Sequence, residues 1–204
     1  MNIKEFLPKV EKEETIGVYG GSFDPVHVSH VISITSVFLC QNIDQIWVLP
    51  TSDHAFKEHT ADFEDRLKMA ELSFSPLSNA YVPPLEKFLS SPNHTVETLS
   101  KVKEIYPSLN LKFLIGGDLV EEIPKWKNSE DLTDLADILV IPRRGYPIVD
   151  PPKELGDFDL VDLGVDLPEI SSTKVKNLLE RGGSIKNLVD QKVYQYIKEK
   201  NLYC

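Results

Sequence analysis

The chain has 204 residues, 41% hydrophobic and 26% charged, which suits one globular domain with a sizeable core. Lysine and arginine total 22 against 32 aspartates and glutamates, a formal charge of −10. With no basic stripe to offset it, that balance argues against nucleic acid or an anionic membrane as the main partner. A small phosphorylated ligand needs only a locally positive pocket and stays open.

Residues 1–14, MNIKEFLPKVEKEE, lack the apolar core of a signal peptide and read as an N-terminal extension to a single domain over 15–204. TIGVY (15–19) is β-branched, bounded by glycine, and predicts a buried strand. Residues 27–40 place Val28, Val31, Ile32, Val37 and Phe38 as a buried helix would, despite many β-branched side chains. Cys40 and Cys204 are the only cysteines, too few for a disulfide framework or a zinc cluster, which fits a reducing cytosol. QIWVLP (45–50) predicts a second strand stopped by proline, and 62–74 an amphipathic helix. AYVPP (80–84) reads as a short edge strand, and Thr95 as the cap of a helix carrying Val96, Leu99, Val102 and Ile105. LKFLIGG (111–117), DILVIP (137–142) and DLVDL (159–163) predict three more strands. Helices then follow over 171–181, closed by Gly182 and Gly183, and over 190–200. No apolar run reaches the roughly 18 residues of a membrane span.

Strands alternating with helices predict an α/β fold, a Rossmann-like doubly wound parallel sheet with helices on both faces and a C-terminal helical segment. Ligands of such sheets sit beyond the carboxyl ends of the strands. Three polar loops occupy such places: 20–30, Gly116 to Asp118, and 142–145.

The first of these, GGSFDPVHVSH, holds more special residues than a strand-to-helix turn requires. Gly20 and Gly21 let backbone N–H groups approach an anion, and the following helix start adds the positive end of its dipole. Neither a GxxxxGK[ST] nor a GxGxxG pattern occurs. His27 and His30, three apart, share one helix face, where two imidazoles could donate to phosphate oxygens. Surface or core histidines and a metal pair are the alternatives. Near the far end, Ser171, Ser172 and Thr173 open a helix with hydroxyls and free N–H groups, either a second anion cradle or simply a well-capped helix.

GSFDPVHVSH resembles the (H/T)xGH signature of the nucleotidyltransferase superfamily, in its nicotinate/nicotinamide-mononucleotide adenylyltransferase branch. ISSTKVK (170–176) resembles that branch's second signature, ISSTxxR. HAFK, HTVETL, FLIGGD, IPKW and DILVIPRRGYP are similar to family segments in the same order, so the resemblance runs from about residue 15 to 197. It implies transfer of AMP from ATP to nicotinate or nicotinamide mononucleotide, with release of pyrophosphate, in NAD biosynthesis. It also implies Mg²⁺ accompanying ATP. Gly20, Gly21, Ser22 and Phe23 would hold phosphates through their backbone, with His27 and His30 stabilising the α-phosphate and the leaving pyrophosphate. Ser171, Ser172, Thr173 and Lys176 would hold the β- and γ-phosphates, with Lys57 reaching the triphosphate. Asp118 would contact ribose, or simply cap a helix. Thr95, Trp126 and Arg143 would meet the pyridine nucleotide: Trp126 by stacking, Thr95 near the carboxylate or amide, Arg143 at a phosphate.

The chain departs from that pattern at Ser29, Lys176 and His94, where the family has glycine, arginine and often tyrosine. A side chain at Ser29 would narrow an adenine site packed on that backbone, and lysine lacks the bidentate fork of arginine. A nucleotidyltransferase with another phosphorylated acceptor and a non-catalytic nucleotide sensor remain as alternatives. Small-molecule partners, no nucleic acid and no membrane are expected, in the cytoplasm, with a homo-oligomer left open.

Overall fold

The computed structural model describes residues 3–53, 60–164 and 167–203. Six strands, β1 (Thr15–Gly21), β2 (Gln45–Pro50), β3 (Ala80–Tyr81), β4 (Asn110–Gly116), β5 (Asp137–Ile141) and β6 (Phe158–Leu160), form one sheet ordered β3-β2-β1-β4-β5-β6. Every neighbouring pair is parallel. The helices are α1 (Val28–Cys40), α2 (Phe63–Phe74), α3 (Thr95–Ile105), α4 (Leu132–Leu135), α5 (Ser172–Glu180) and α6 (Gln191–Lys200). This is the doubly wound α/β sheet expected from the alternation, with its strand order reversing between β1 and β4. Among the described residues no helix is long and apolar enough to cross a membrane.

Period-2 alternation along the strands feeds two cores. Ile16, Val18, Trp47, Phe113 and Val140 face α3 and α4 on one side, where Leu7 from the segment before β1 is also buried. Tyr19, Ile46, Val48, Leu114 and Ile141 face α1 and α2 on the other. A third cluster joins Met69 of α2 to Val175 of α5 and to Val193 and Ile197 of α6.

Packing overrides propensity in α1. Its buried Ser33 hydroxyl bonds back to the Ser29 carbonyl at 2.8 Å, and Thr35 to Val31 at 2.8 Å, so polar atoms on a core-facing helix are satisfied within the helix itself. α5 ends as its glycines predict: Gly182, at φ +71°, and Gly183 donate to Leu179 and Leu178, both at 2.8 Å.

Some boundaries differ from the sequence reading. β3 stops at Tyr81 because Pro83 and Pro84 offer no N–H to continue a ladder. β6 spans Phe158–Leu160 rather than 159–163; as an edge strand it pairs on one side only. Gly117 leaves the strand to open a 3₁₀ stretch, Gly117–Lys125. His94, not Thr95, occupies the cap position of α3.

The loops after β1 and β2 are locked together by Arg66 of α2, which is 1% exposed. Its guanidinium donates to the carbonyls of Ser22 (2.8 Å), Thr51 (2.7 Å), Ser52 (3.3 Å) and Ala61 (3.1 Å). Only a planar fork with several N–H groups can reach them all. Replacing Arg66 with Met keeps much of the volume but orphans buried carbonyls, and should cost about 3 kcal/mol or more in urea unfolding. A loss below about 0.5 kcal/mol would show that the loops do not depend on this side chain.

Candidate active site

A cavity of about 730 Å³ opens beyond the carboxyl ends of β1 and β4, at the point where the strand order reverses. Its walls bring together Gly20 to Phe23, His27, His30, Thr95, Asp118, Trp126, Arg143, Ser171 to Thr173 and Lys176. Lys57 lies outside the described residues. All the other residues expected to contact substrate thus line one crevice, although they come from segments up to about 150 residues apart.

The two imidazoles define its centre. His27 caps α1 in extended backbone and His30 sits one turn on, so their rings stack with centroids 3.7 Å apart and planes 23° apart. The His27 N–H donates to His30 Nδ1 at 3.2 Å, which puts the proton of neutral His30 on Nε2. The Phe23 ring meets His30 edge-on at 5.2 Å and fixes its position from below. Burial depresses both imidazoles, with Arg143 adding to it: His27 falls to about 3, and His30, which also faces His27, drops well below the usual range. Both are neutral at physiological pH. His27 Nδ1 is buried without a protein hydrogen-bond partner.

The start of α1 is less open than expected. The Val28 N–H donates to the Leu188 carbonyl at 2.9 Å, and the His30 N–H to His27 at 3.0 Å. The turn before it carries the exposed backbone. A Cβ built on Gly20 would meet no protein atom within 4 Å, so that stretch of chain faces open cavity.

At the other wall, Ser171 caps α5 by accepting the Lys174 N–H at 3.2 Å. The Ser172 hydroxyl donates to the Pro25 carbonyl at 2.9 Å, tying α5 to the histidine loop. Ser29 does not intrude on the cavity. It is fully buried, its hydroxyl donates to the Pro168 carbonyl at 3.0 Å, and it is not part of the cavity wall. Lys176 is not a free cation. Its Nζ lies 2.9 Å from Asp24 Oδ2 and 2.9 Å from Thr60 Oγ1.

Asp24 is 3% exposed. It accepts the N–H groups of Thr60 (2.8 Å) and Ala61 (3.1 Å), Lys176, and the Tyr203 hydroxyl at 2.8 Å. Burial pushes its carboxyl up, but Thr60, Lys176 and Tyr203 together outweigh it and hold the group below the ordinary carboxylate range.

The end of the crevice near α3 is framed by Trp126, whose ring meets Phe113 edge-on at 6.2 Å. Lys127 pairs with Glu97 of α3 at 2.8 Å and holds this wall to the helix. Beneath it Glu86 accepts from Thr98 (3.0 Å) and from the Ser52 N–H (3.3 Å), and burial pushes its carboxyl up to about 7. Asn93 joins the loop after β2 by accepting the Asp53 N–H at 2.9 Å. Asp118 lies within the 3₁₀ stretch rather than at its cap and faces Arg143 Nε at 3.6 Å. Its carboxylate folds back over Gly116, where any Cβ would come within 2.4 Å of Oδ1.

Asp24, Arg66, Glu86 and Tyr203 escaped the sequence reading. Asp24 was visible only as part of FDP, and nothing local marks the other three, because their role comes from burial. Formal charges on the described walls also balance. Lys127, Arg143, Arg144, Lys174 and Lys176 stand against Asp24, Glu86, Asp118, Glu122 and Glu169. An anion in this cavity would be met by oriented donors rather than by net charge.

A histidine that stays neutral when folded titrates near 6.5 when unfolded. The unfolded chain therefore takes up protons first as pH falls, and stability is lost from about pH 6.5 downward, in the case of His27 to about 3. The melting temperature should fall across that window, and His27→Asn should flatten the slope. Identical slopes in both proteins would contradict a buried neutral imidazole.

A family model described as cytidylyltransferase-like matches residues 18–178. A protein named "Probable nicotinate-nucleotide adenylyltransferase" from Anaeromyxobacter dehalogenans is 34% identical over 191 residues, covering 92% of this chain and 96% of that relative. One of the same name from Enterococcus faecalis is 31% identical over 199 residues, covering 96% and 87%. In fold the chain is similar to Plasmodium falciparum nicotinic acid mononucleotide adenylyltransferase complexed with NaAD. The TM-score is 0.76 at 24% identity, over 94% of this chain and 98% of that one.

Proposed function

The chain belongs to the cytidylyltransferase-like family, and we propose that within it the protein is a nicotinate-nucleotide adenylyltransferase. It transfers AMP from ATP to nicotinate mononucleotide, giving the dinucleotide and pyrophosphate, as a cytoplasmic step of NAD biosynthesis. The observation that carries this reading is the stacked His27–His30 pair, at the head of α1, facing the α5 serines across one cavity. The names of the relatives supply the acceptor.

A phosphate oxygen of the mononucleotide attacks the α-phosphorus of ATP in line. The new O–P bond forms as the bond to the β-phosphate breaks, and pyrophosphate leaves with the electron pair. No covalent intermediate on the protein is needed, so the chain's task is positioning and charge stabilisation. His30 donates from Nε2, and His27 Nδ1 finds in a phosphate the partner that the protein leaves it without. As neutral donors they cost no charge burial in the free enzyme, and they meet negative charge as it develops. The Gly20–Phe23 turn and the first turn of α5 flank the triphosphate, with Lys176 at its far end. Arg143, which lines the cavity, reaches a substrate phosphate. Trp126 stacks on the pyridine ring beside Thr95.

Among the described residues no group of three or more His, Cys, Asp or Glu could cage a metal, and the Asp24 oxygens are taken by four donors. The donor set fits Mg²⁺ brought in on the triphosphate, held by phosphate oxygens and water. Bound there, it neutralises charge on the β- and γ-phosphates.

Pyrophosphate release with Mg²⁺ and ATP should be much faster with nicotinate mononucleotide than with nicotinamide mononucleotide. Release with neither, from protein that binds ATP, would overturn the assignment. His27→Ala and His30→Ala should each lower kcat by about 10²-fold or more. Full turnover by both would remove the histidines from the mechanism.

A further inference from the structure

Tyr203 stands at the end of a turn that doubles back after α6. Asn201 adopts φ +53° there and Tyr203 φ +62°, and the Leu202 N–H closes the helix on the Ile197 carbonyl at 3.0 Å. The phenol is thereby carried to a carboxylate 179 residues earlier in the chain. The ring is 9% exposed and lies outside the cavity wall. Nothing in the reaction as described uses it.

The arrangement of donors around Asp24 gives it a task. Oδ1 accepts from the Ala61 N–H and the Tyr203 hydroxyl, while Oδ2 accepts from the Thr60 N–H and Lys176 Nζ. That saturates the carboxylate. Three of these donors are neutral and fixed; Lys176 alone is charged and lines the cavity. If Lys176 turns to a nucleotide phosphate, the buried carboxylate must be sustained by the remaining three. An ionised carboxylate stripped of such donors is costly to bury, and it would hold the ammonium back.

We propose that Tyr203 is a positioning residue for the triphosphate site: its hydroxyl sustains the Asp24 carboxylate so that Lys176 can leave it for the terminal phosphates of the nucleotide. The inference rests on the assignment of Lys176 to the triphosphate. The Asp24–Lys176 pair is then the resting arrangement, and nucleotide binding exchanges one anion for another on the same ammonium. Lys176 Nζ also lies over the Tyr203 ring, 5.9 Å from its centroid, and two further charges act on the phenol: Arg66, buried nearby, and Asp65, bonded to Tyr196. Neither is bonded to it.

The test is a double-mutant cycle read by calorimetric binding of Mg·ATP and, in parallel, by steady-state kinetics. Tyr203→Phe keeps the ring and deletes one hydroxyl. It should weaken ATP binding and raise KM for ATP by about 10-fold or more, the size of one hydrogen bond to a charged group, with kcat within about twofold. In a Lys176→Ala background the same change should leave ATP affinity unaltered, because no ammonium remains to be released. Unchanged affinity in the first variant, or equal weakening in both backgrounds, would overturn the proposal; equal weakening would mark a purely structural role. Wild-type protein that binds ATP without turnover would sink the functional reading, while the binding cycle would still decide the role of Tyr203.

Discussion

The crevice proposed to take phosphates has matched charges on its described walls in a protein of formal charge −10, so attraction there must come from oriented donors. That constraint shapes the whole site. Acidic and basic side chains on the described walls are matched, and the two imidazoles are held neutral by burial. The Gly20–Phe23 turn and the head of α5 present backbone where substrate phosphates are proposed to lie. Fixed dipoles of this kind do not reorganise when charge develops, which is the condition for electrostatic catalysis.

Holding such donors in place requires charges of its own, and these are buried behind the site. Arg66 grips four carbonyls from the segments after β1, after β2 and before α2. Asp24 gathers donors from the segment before α2, from α5 and from the C-terminal turn. Both are almost inaccessible, so each depends on complete hydrogen bonding. Smaller bonds extend the same frame. Ser172 fastens α5 to Pro25, and Ser29 fastens α1 to Pro168. The histidine loop is therefore tied to the segment after β2, to α2, to α5 and to the C-terminal turn.

The sheet and its helices were legible because their signals are local. TIGVY and QIWVLP are short apolar runs, and Gly182–Gly183 can hardly mean anything but a helix end. The candidate site was legible in part because HxxH, the paired glycines and SST are chemistry-bearing residues at helix starts, and the fold rule sends such loops to one edge; Thr95, Trp126 and Arg143 came only from the family resemblance. Other features come from long-range burial. Lys176 reads as a solvated phosphate ligand until Asp24 is seen 2.9 Å away. Ser29 reads as an obstruction until its hydroxyl is found spent on a carbonyl across the site. Glu86 sits in PLEKF like any surface glutamate, yet packing against α3 pushes its carboxyl up to about 7. The 3₁₀ run Gly117–Lys125 was legible only as the helix that Asp118 would cap; Pro124 inside it marks why it is not a regular α-helix.

The proposed chemistry turns on the charge state of two side chains, which imidazole nitrogen NMR reads directly. Long-range proton–nitrogen spectra of the full chain should be recorded at pH 6, with and without Mg²⁺ and a non-transferable ATP analogue. Neutral His27 and His30 in the free protein, with His30 carrying its proton on Nε2 and His27 Nδ1 shifting on nucleotide addition, is the predicted result. A charged imidazolium in the free protein, or nitrogen shifts unmoved by bound nucleotide, would contradict it.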